Sequence, residues 1–405
     1  MKLQSFVVFS NTHLKLLASF VTLLLVFGAS SYLQQQQQQG YYPTTSKARN
    51  MTKKLNNGVG KRAGDGPVLA YWIYGSSGDG ERILRVLKAS YHPRNEYLLL
   101  LDSSSSWEER RDLAVSIQSD PLFSEFNNVN VVGRSYAVNQ MGGSGLAAFL
   151  HASALLLKIS TNWDWFITLS ASDYPLMTQD DILHAFTMLP RDLNFVHFTN
   201  RSNENEQVKQ VVVDPSLYNR ENSPVFYATG TRNAPNTFNI FAGSPWVILS
   251  RSLIDFVVKG WDNLPRKLLM YMSNVASPME FYFQTLICNS PGFQNTTVDS
   301  DLRYVMSKNE SLEAVLLLMN KMVGNFQKED DHVLMEVDNE ILNRSMNGVV
   351  AGKWCLQRRN ESSRANDDDY GNWDINSVEP SPRGVKMGLT LSRLATQRLT
   401  CPTTF

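Results

Sequence analysis

The segment Ser277-Pro278-Met279-Glu280 places a carboxylate just ahead of an apolar stretch with helical spacing. A carboxylate in such a place can take a proton from a substrate hydroxyl and so act as a general base. A structural interpretation competes with this one, because Ser277, Pro278 and Glu280 occupy the N-cap, N1 and N3 positions of a capping box. The two interpretations exclude each other only if the Glu280 carboxylate is bound to the Ser277 amide.

Two further carboxylates, Asp102 and Asp173, each follow an apolar run that is typical of a buried strand. Tyr97 to Leu101 precedes Asp102, and Trp165 to Leu169 precedes Asp173. Ligands of open α/β sheets bind at the carboxyl ends of the strands, so both residues are candidate site residues. For Asp173 the alternative is a structural role as a cap on the turn that follows the strand.

A glycine-containing loop, Gly75 to Gly80, lies between a predicted strand and a predicted helix. It matches neither of the common phosphate-binding patterns, GxxxxGK[ST] and GxGxxG. Because glycine carries no side chain, such a loop can approach a nucleotide closely. A simple strand-to-helix turn has the same composition, so the loop alone does not distinguish the two.

Strand and helix patterns alternate along most of the chain, which is typical of an α/β fold. The predicted strands are Val68–Tyr74, Tyr97–Leu101, Val129–Val132, Trp165–Leu169, Phe195–Phe198, Val211–Val213 and Trp246–Leu249. The predicted helices are Arg82–Ala89, Trp107–Gln118, Leu146–Lys158, Thr178–Met188, Ser250–Lys259 and Ser277–Cys288. Residues 67–352 fit one large domain. Residues 353–405 are predicted to be a polar extension of poor order.

The N-terminal region contains an uncharged, mostly apolar stretch from Leu16 to Leu33, about as long as a short membrane-spanning helix. Lys2 and Lys15 precede it, and positive charge stays on the cytosolic side. We therefore expect a signal anchor at 16–33, a cytosolic tail at 1–15 and a luminal remainder. A cleaved signal peptide is the alternative. The glutamine-rich and glycine-rich segment 34–66 is predicted to be a flexible stem.

The charges balance, with 38 Lys and Arg against 38 Asp and Glu. Because no basic field exists, nucleic acid is not an expected partner. Six N-x-S/T acceptor sites for N-glycosylation agree with a luminal location: Asn50, Asn200, Asn295, Asn309, Asn343 and Asn360. In an oxidising lumen the three cysteines would form one disulfide, for which we expect Cys355 with Cys401, because Cys288 lies in an apolar helical pattern.

Several motifs resemble those of glycosyltransferase family 14. This family contains the core-2/I-branching N-acetylglucosaminyltransferases, the peptide xylosyltransferases and the plant β-glucuronosyltransferases. The resemblance extends from about Val68 to Asp338 and rests on Ala70-Tyr71-Trp72-Ile73, Tyr97–Asp102, Leu150-His151-Ala152, Trp163–Leu176, Gly243-Ser244-Pro245-Trp246 and Ser277-Pro278-Met279-Glu280. Three other segments are similar to the plant β-glucuronosyltransferase branch: Val138–Gly142, Ser170–Asp181 and Leu189–Phe195.

This resemblance implies transfer of glucuronic acid from UDP-glucuronate to the galactan chains of type II arabinogalactan, the glycan of arabinogalactan proteins. It also implies a type II Golgi membrane protein with a GT-A fold, in which helices flank a mixed sheet. The family acts by inversion and without a metal or other cofactor. Transfer of N-acetylglucosamine or xylose stays open as an alternative.

The resemblance also implies roles for individual residues. Glu280 falls on the catalytic carboxylate, which would deprotonate a galactose hydroxyl. Asp102 falls on the residue that holds the uridine ribose, and Asp173 falls on an acidic residue near the donor. The backbone that lines the uracil corresponds to Ile73, Tyr74, Gly75 and Ser76. Two aromatic residues, Trp246 and Tyr282, are candidates for an acceptor platform, although aromatic residues of this kind also build cores.

A metal site is not expected. Metal-dependent sugar-nucleotide transferases usually carry an Asp-x-Asp pair at a strand end, and no such pair follows Asp102 or Asp173. Asp299-Ser300-Asp301 has the right letters, but its polar surroundings indicate a solvated loop. Without a metal, the leaving diphosphate must be neutralised by Lys or Arg side chains, by backbone amides or by a helix N-terminus. The downstream candidates are Arg303, Lys308, Lys321 and Lys328.

In one segment the chain departs from the family pattern. Family members carry an Ala-Arg-Lys-Phe-like segment whose basic side chain grips the diphosphate, and Asn325 stands at that basic position here. Lys321 or Lys328 is the candidate replacement for the missing charge. The second alternative is therefore a catalytically impaired member of the family that binds glycan or a partner protein.

Overall fold

The computed structural model describes residues 66–199, 204–219, 221–260, 263–305, 322–326, 331–345, 347–355, 374–397 and 401. Within these ranges, no helix combines the length and the apolar character that a membrane crossing requires. The predicted anchor at 16–33 and all but the last residue of the predicted stem lie outside the described residues. The same is true of Asn50, Asn200, Asn309, Lys321, Lys328 and Asn360.

The described residues contain twelve strands in three sheets. In chain order they are β1 Leu69–Gly75, β2 Glu96–Leu101, β3 Val129–Val131, β4 Trp165–Ser170, β5 Asp173–Pro175, β6 Asn194–Thr199, β7 Gln210–Val213, β8 Phe226–Thr231, β9 Ala242–Ser250, β10 Thr297–Val298, β11 Arg303–Val305 and β12 Val323–Asn325. The largest sheet has seven strands in the order β10-β6-β9-β4-β1-β2-β3. Its central strands are parallel, whereas β9 runs antiparallel to both β4 and β6.

Twelve α-helices accompany these strands in the described residues. They are α1 Gly80–Ala89, α2 Trp107–Ser119, α3 Pro121–Phe126, α4 Gly143–Ile159, α5 Gln179–Thr187, α6 Glu204–Lys209, α7 Arg251–Lys259, α8 Asn263–Met272, α9 Tyr282–Cys288, α10 Pro291–Gln294, α11 Asp331–Glu336 and α12 Pro382–Ala395. A mixed sheet with helices on both faces confirms the predicted α/β class.

The central strands are apolar on both faces because helices cover both sides of the sheet. Side chains alternate along β1, so Tyr71 and Ile73 enter the core that includes α1 and α2. Ala70 and Trp72 enter the other core, to which α4 contributes Phe149. This second face also carries the cavity described below. The sequence pattern therefore determines which side chains of β1 can reach a ligand.

A small three-stranded sheet lies beyond the end of β4. Its strand order is β11-β12-β5, with β11 parallel and β5 antiparallel to β12. The register places Asn325 opposite Asp173 and Arg303 opposite Val323. Three distant parts of the chain are thus brought together by strands of three residues each.

The C-terminal region differs from the prediction of a poorly ordered extension. Helix α12 packs against α5, and its side chains Met387 and Leu391 are fully buried. Ser381 caps α12 and donates its amide to Asp181 at 2.6 Å. These apolar side chains lie four residues apart on one helix face, so the segment buries a stripe despite its polar composition. The domain accordingly includes residues 374–397.

The disulfide also differs from the prediction. Cys288 at the end of α9 is bonded to Cys401, and Cys355 is not part of this bond. The prediction was wrong because the apolar pattern around Cys288 was taken to bury its sulfur. Instead Cys288 is the last residue of α9, and its Cα atom lies 5.9 Å from that of Cys401.

Candidate active site

A cavity of about 200 Å³ lies near the C-terminal ends of β1 and β4. It is lined by Trp72, Tyr74, Gln140, Met141, Gly145, Phe149, Thr168, Pro245, Trp246, Ser277, Met279 and Glu280. Mostly apolar walls with a few polar groups are the usual form of a small-molecule site. The position at the strand ends is also where open α/β sheets bind their ligands.

Glu280 is half-buried on the cavity wall, at the end of a single 3-10 turn, Pro278–Glu280. Its amide closes this turn by donating to the Ser277 carbonyl at 2.9 Å. Among the described residues that line the cavity, Glu280 is the one carboxylate. A carboxylate that adjoins a largely apolar cavity can take a proton from a bound hydroxyl.

The predicted capping box does not form. The Ser277 amide donates to the Met141 carbonyl at 3.0 Å, and the Ser277 hydroxyl contacts the Met141 sulfur at 3.3 Å. Ser277 has φ 49° and ψ 52°, which is left-handed backbone that costs energy for a residue with a side chain. The α-helix predicted from Ser277 begins only at Tyr282, without a side-chain cap.

Trp246 forms a wall of the cavity, as an acceptor platform requires. The Arg303 guanidinium lies over its indole ring, with the central carbon 3.6 Å from the ring centroid. Tyr282, the other predicted platform residue, is 1% exposed, and its hydroxyl donates to the Pro265 carbonyl at 3.2 Å. Tyr282 therefore belongs to the core and cannot contact an acceptor. Its ring packs edge-to-face against Phe283 within the core.

The predicted donor residues of β1 divide into two groups. Ile73 is completely buried between β2 and β4, so the structure does not support direct contact with a nucleotide. Tyr74 reaches the cavity and stacks on Trp72 with the ring centroids 4.5 Å apart. Burial and, to a smaller extent, the Asp173 carboxylate raise the pKa of Tyr74 far above its usual value, so the phenol stays protonated at neutral pH.

Three backbone amides of the glycine loop donate hydrogen bonds to carboxylates of the protein itself. The Ser76 amide donates to Asp79 at 2.9 Å, and the amides of Gly78 and Gly80 donate to Glu109 at 3.0 and 2.9 Å. Gly78 has φ 83°, which favours glycine. These three amides are used internally, so the loop geometry is explained by a strand-to-helix turn. Gly75 is half-buried and Ser76 is exposed at the end of β1.

Asp102 follows β2 and is 5% exposed. One carboxylate oxygen accepts the Ser104 amide at 2.9 Å, and the other accepts the Asn222 side-chain amide at 2.7 Å. The Asp102 amide donates to the Gly75 carbonyl at 3.0 Å, which places the residue beside the end of β1. Asn222 comes from the segment after β7, and the sequence gives no local signal for this contact.

Asp173 begins β5 and is buried. Arg303 donates to one of its carboxylate oxygens at 2.6 Å, and the Asn325 amide donates to the same oxygen at 2.9 Å. The amide and the hydroxyl of Ser170 donate to the other oxygen at 2.5 and 2.9 Å. All of these donors belong to the protein, so the Asp173 carboxylate has a structural role. The interpretation of Asp173 as a cap on the turn predicted such a role in part.

No group of three or more His, Cys, Asp or Glu side chains that could hold a metal ion occurs within the described ranges. Asp299 accepts from the His197 ring at 2.9 Å and from the Phe198 amide at 3.0 Å, whereas Asp301 accepts the Arg303 amide at 3.2 Å. The two carboxylates of this Asp-x-Asp sequence therefore serve different local contacts.

Two of the predicted glycosylation sites can be located. Asn295 directly follows α10 as its C-cap and is exposed. Asn343 is also exposed and has φ 46°, a conformation that asparagine tolerates better than most residues. Both side chains are accessible to a modifying enzyme in the folded chain.

Sequence reasoning did not identify Trp72, Gln140 and Thr168 as cavity residues. The alternation along β1 could have found Trp72, since it shares a face with Tyr74. Gln140 lies in a loop before α4, and loops give no periodic signal. Thr168 is a buried residue of β4 within an apolar run. Its place on the cavity wall follows from the pairing of β4 with β1, which sets Thr168 opposite Trp72.

Comparison with known proteins relates this site to a family. A family model described as Core-2/I-Branching enzyme matches residues 69–316. Beta-glucuronosyltransferase GlcAT14A of Arabidopsis thaliana is 42% identical over 349 residues, which cover 82% of this chain and 76% of that protein. Beta-glucuronosyltransferase GlcAT14C of the same plant is 45% identical over 298 residues, covering 70% and 76%.

A more distant similarity points to another sugar transfer. Xylosyltransferase 1 of Rattus norvegicus is 32% identical over 223 residues, which cover 55% of this chain and 26% of that protein. The residues that match the family model include Glu280, Trp246, Asp173 and Asp102, whereas Asn325 lies beyond them.

Proposed function

Since the chain is a glycosyltransferase that belongs to the Core-2/I-branching enzyme family, we propose that it transfers glucuronic acid from UDP-glucuronate to galactan chains of type II arabinogalactan. The relatives that cover most of the chain are named beta-glucuronosyltransferases, which supports the glucuronosyl donor. The structural observation that carries the proposal is the position of Glu280 on the cavity wall, with the Ser277 amide bound to Met141 instead. We assign the mixed sheet to the GT-A fold.

In the proposed reaction Glu280 accepts the proton of a galactose hydroxyl. The hydroxyl oxygen forms a bond to the anomeric carbon of glucuronate, and the bond from that carbon to the UDP oxygen breaks on the opposite face. The electron pair of the broken bond leaves with UDP, so the configuration inverts and the new linkage is β. Trp246 offers a flat apolar face to the acceptor, while Gln140 and Thr168 offer hydrogen-bonding groups within the same cavity.

We place the uridine at the ends of β1 and β2, where Tyr74, Gly75, Ser76 and Asp102 lie together. Cations must stabilise the charge that develops on the leaving diphosphate, and we assign this role to Lys321 and Lys328 without a metal. Replacing either lysine by alanine is expected to raise the KM for UDP-glucuronate about tenfold, as the loss of one charge-assisted contact predicts. Lys259→Ala is the control, because Lys259 pairs with Asp255 on the surface of α7.

We further propose a Golgi location with a single N-terminal membrane anchor and a luminal catalytic domain. The bond between Cys288 and Cys401 supports an oxidising compartment, since structural disulfides are rare in the cytosol. The exposed acceptor sites Asn295 and Asn343 are consistent with a luminal domain. Treatment of the protein from plant microsomes with a glycosidase specific for N-glycans should increase its mobility in gel electrophoresis.

The decisive experiment measures transfer by the purified full-length chain with UDP-glucuronate and a β-1,6-galactan acceptor in EDTA. Formation of a glucuronosylated galactan, absent for Glu280→Gln, supports the whole proposal. Activity only after addition of a divalent cation would overturn the metal-free part. Activity with UDP-xylose or UDP-N-acetylglucosamine in place of UDP-glucuronate would overturn the donor assignment.

One observation favours a second candidate function, that of a catalytically impaired family member that binds glycan or a partner protein. Asn325 is neutral, and its amide donates to Asp173 at 2.9 Å. It therefore cannot supply the charge that the family places there. Calorimetry separates the two candidates, because an impaired member would bind the galactan but show no heat of binding with UDP or UDP-glucuronate.

A further inference from the structure

Building on the proposed function, we infer that the buried pair Asp173–Arg303 positions Trp246 as the acceptor platform. Neither charged residue touches the acceptor in this arrangement. Arg303 donates to Asp173 at 2.6 Å, and the two side chains are 5% and 0% exposed. They are positioning residues, and their effect on the reaction passes through the indole of Trp246.

The Asp173 carboxylate is held rigidly. Its two oxygens accept four hydrogen bonds, from Ser170 at the end of β4, Arg303 in β11 and Asn325 in β12. A buried carboxylate with this many donors has a fixed orientation. Because its oxygens are used inside the protein, Asp173 serves as the counter-ion of Arg303.

The Arg303 guanidinium is held at its edge and stacked by its face. One terminal nitrogen donates to Asp173, and the other donates to the Thr168 carbonyl at 3.2 Å. The central carbon lies 3.6 Å from the centroid of the Trp246 ring. A planar cation fixed in this way favours one orientation of the ring that it covers.

The contact between Arg303 and Trp246 can affect the proposed reaction, because Trp246 and Thr168 line the same cavity as Glu280. A rotation of the indole would change the wall against which a sugar ring lies. The distance between the acceptor hydroxyl and the Glu280 carboxylate therefore depends on Arg303. Small errors in such a distance are costly in catalysis.

Asn325 has a defined part in this arrangement. It shares an oxygen of Asp173 with Arg303 and adds no charge, so Arg303 is the single cation bound to Asp173 in the described part of the chain. The neutral residue at this position thus supports the Asp173–Arg303 pair. This gives Asn325 a structural function that its departure from the family pattern does not suggest.

Arg303→Lys tests the inference in the full-length chain. Lysine keeps the charge but loses the planar face and one of the two edge contacts. The dissociation constant for a β-1,6-linked galacto-oligosaccharide, measured by calorimetry, should increase about tenfold, which corresponds to one cation–π contact. In a Trp246→Ala background the same substitution should change the constant by less than about twofold, as a double-mutant cycle requires of coupled residues.

Arg251→Lys provides the matched control. The Arg251 guanidinium lies 4.5 Å from the centroid of Trp163 and donates to the Ser160 carbonyl at 3.0 Å, so it combines the same two kinds of contact. Neither residue lines the cavity. Arg251→Lys should leave oligosaccharide binding unchanged. This result would show that the weaker binding of Arg303→Lys does not come from loss of any Arg–Trp stacking contact.

The inference is overturned if the effects of Arg303→Lys and Trp246→Ala on binding simply multiply. It is also overturned if Arg303→Lys weakens binding of UDP as strongly as binding of the oligosaccharide. Should Arg303→Lys lower the melting temperature below the assay range, Asn325→Ala is the milder variant, with the same expected pattern. Because the readout is acceptor binding, a failure of glucuronosyl transfer by the wild type would count against the proposed function alone.

Discussion

The Ser277 amide donates to the Met141 carbonyl at 3.0 Å, and this bond joins two loops on the rim of the cavity. Met141 precedes α4, whereas Ser277 precedes the turn that carries Glu280. A capping box would have required the same amide to bind Glu280. The contact therefore excludes the capping box as the role of the Glu280 carboxylate, which belongs to a residue that lines the cavity.

Glu280→Gln should lower kcat by at least about 100-fold, the lower end for loss of a general base. Binding of UDP-glucuronate should stay unchanged, and the melting temperature should not fall as it would on loss of a helix cap, because no side chain caps α9. Loss of a true cap would cost about 1 kcal/mol of stability. Glu125→Gln on the exposed side of α3 is the control. Unchanged activity of Glu280→Gln would show that the base assignment is wrong.

Ser277→Gly should preserve or increase the stability of the protein. Ser277 has φ 49°, where glycine carries no steric penalty and other residues pay roughly 1 kcal/mol. Ser277→Ala keeps this penalty and should be less stable than Ser277→Gly by a similar amount. Urea unfolding of both variants measures the difference. Equal stability of the two would contradict the left-handed conformation at this position.

Tyr282→Phe should leave the acceptor KM unchanged and should lower the free energy of unfolding by about 1 kcal/mol, the value of one lost hydrogen bond. The lost bond is that from the Tyr282 hydroxyl to the Pro265 carbonyl. Trp246→Ala should raise the acceptor KM about tenfold, because aromatic side chains bury the largest contact area of a binding site. A higher acceptor KM for Tyr282→Phe would contradict this assignment and indicate that Tyr282 contacts the acceptor.

The sequence was sufficient for the long elements of the fold. Strands β1, β2 and β4 follow the predicted apolar runs. Helix α5 has its N-cap at Thr178, the first residue of the predicted helix, whose hydroxyl accepts the Asp181 amide at 3.2 Å. The small sheet could not be predicted, since strands of three residues have no measurable period. Helix α12 was missed because its apolar stripe lies within a polar composition.

The sequence predicted several residues of the candidate site correctly, but it did not predict the residues to which they are hydrogen-bonded. Glu280, Trp246 and Tyr74 all line the cavity. In contrast, Asp173 meets Arg303 and Asn325, which are 130 and 152 residues away along the chain. No local pattern reports pairing over such separations. Tyr282 was misplaced because aromatic residues in a core and on a binding platform have the same sequence appearance.

Cys401→Ser should lower the free energy of unfolding by about 2–5 kcal/mol, as is usual for loss of a native disulfide. The bond joins Cys401 to Cys288 at the end of α9, across a sequence separation of 113 residues. Cys355→Ser is the control, since Cys355 lies outside this bond and should cost much less. If Cys355→Ser destabilises the protein as much as Cys401→Ser whereas Cys288→Ser does not, the result would contradict the bond between Cys288 and Cys401.

Glu96→Gln should remove a pH dependence of stability. Glu96 begins β2 and is half-buried; burial raises its pKa from 4.5 to about 7, which Ser160 opposes in part. Between these pH values the folded chain holds a proton that the unfolded chain has released. The stability contributed by Glu96 is therefore fully present below about pH 4.5 and is lost as the pH rises through about 7.

At about pH 8, Glu96→Gln should be more stable than the wild type by roughly 1–2 kcal/mol, a value reduced by the partial exposure of the side chain. Near pH 4.5 the two proteins should be about equally stable, because the wild-type carboxyl is then protonated in the folded state. Urea unfolding across this range measures the difference, with Glu125→Gln as the exposed control. Parallel pH profiles for Glu96→Gln and the wild type would show that Glu96 titrates in the folded protein as it does in the unfolded chain.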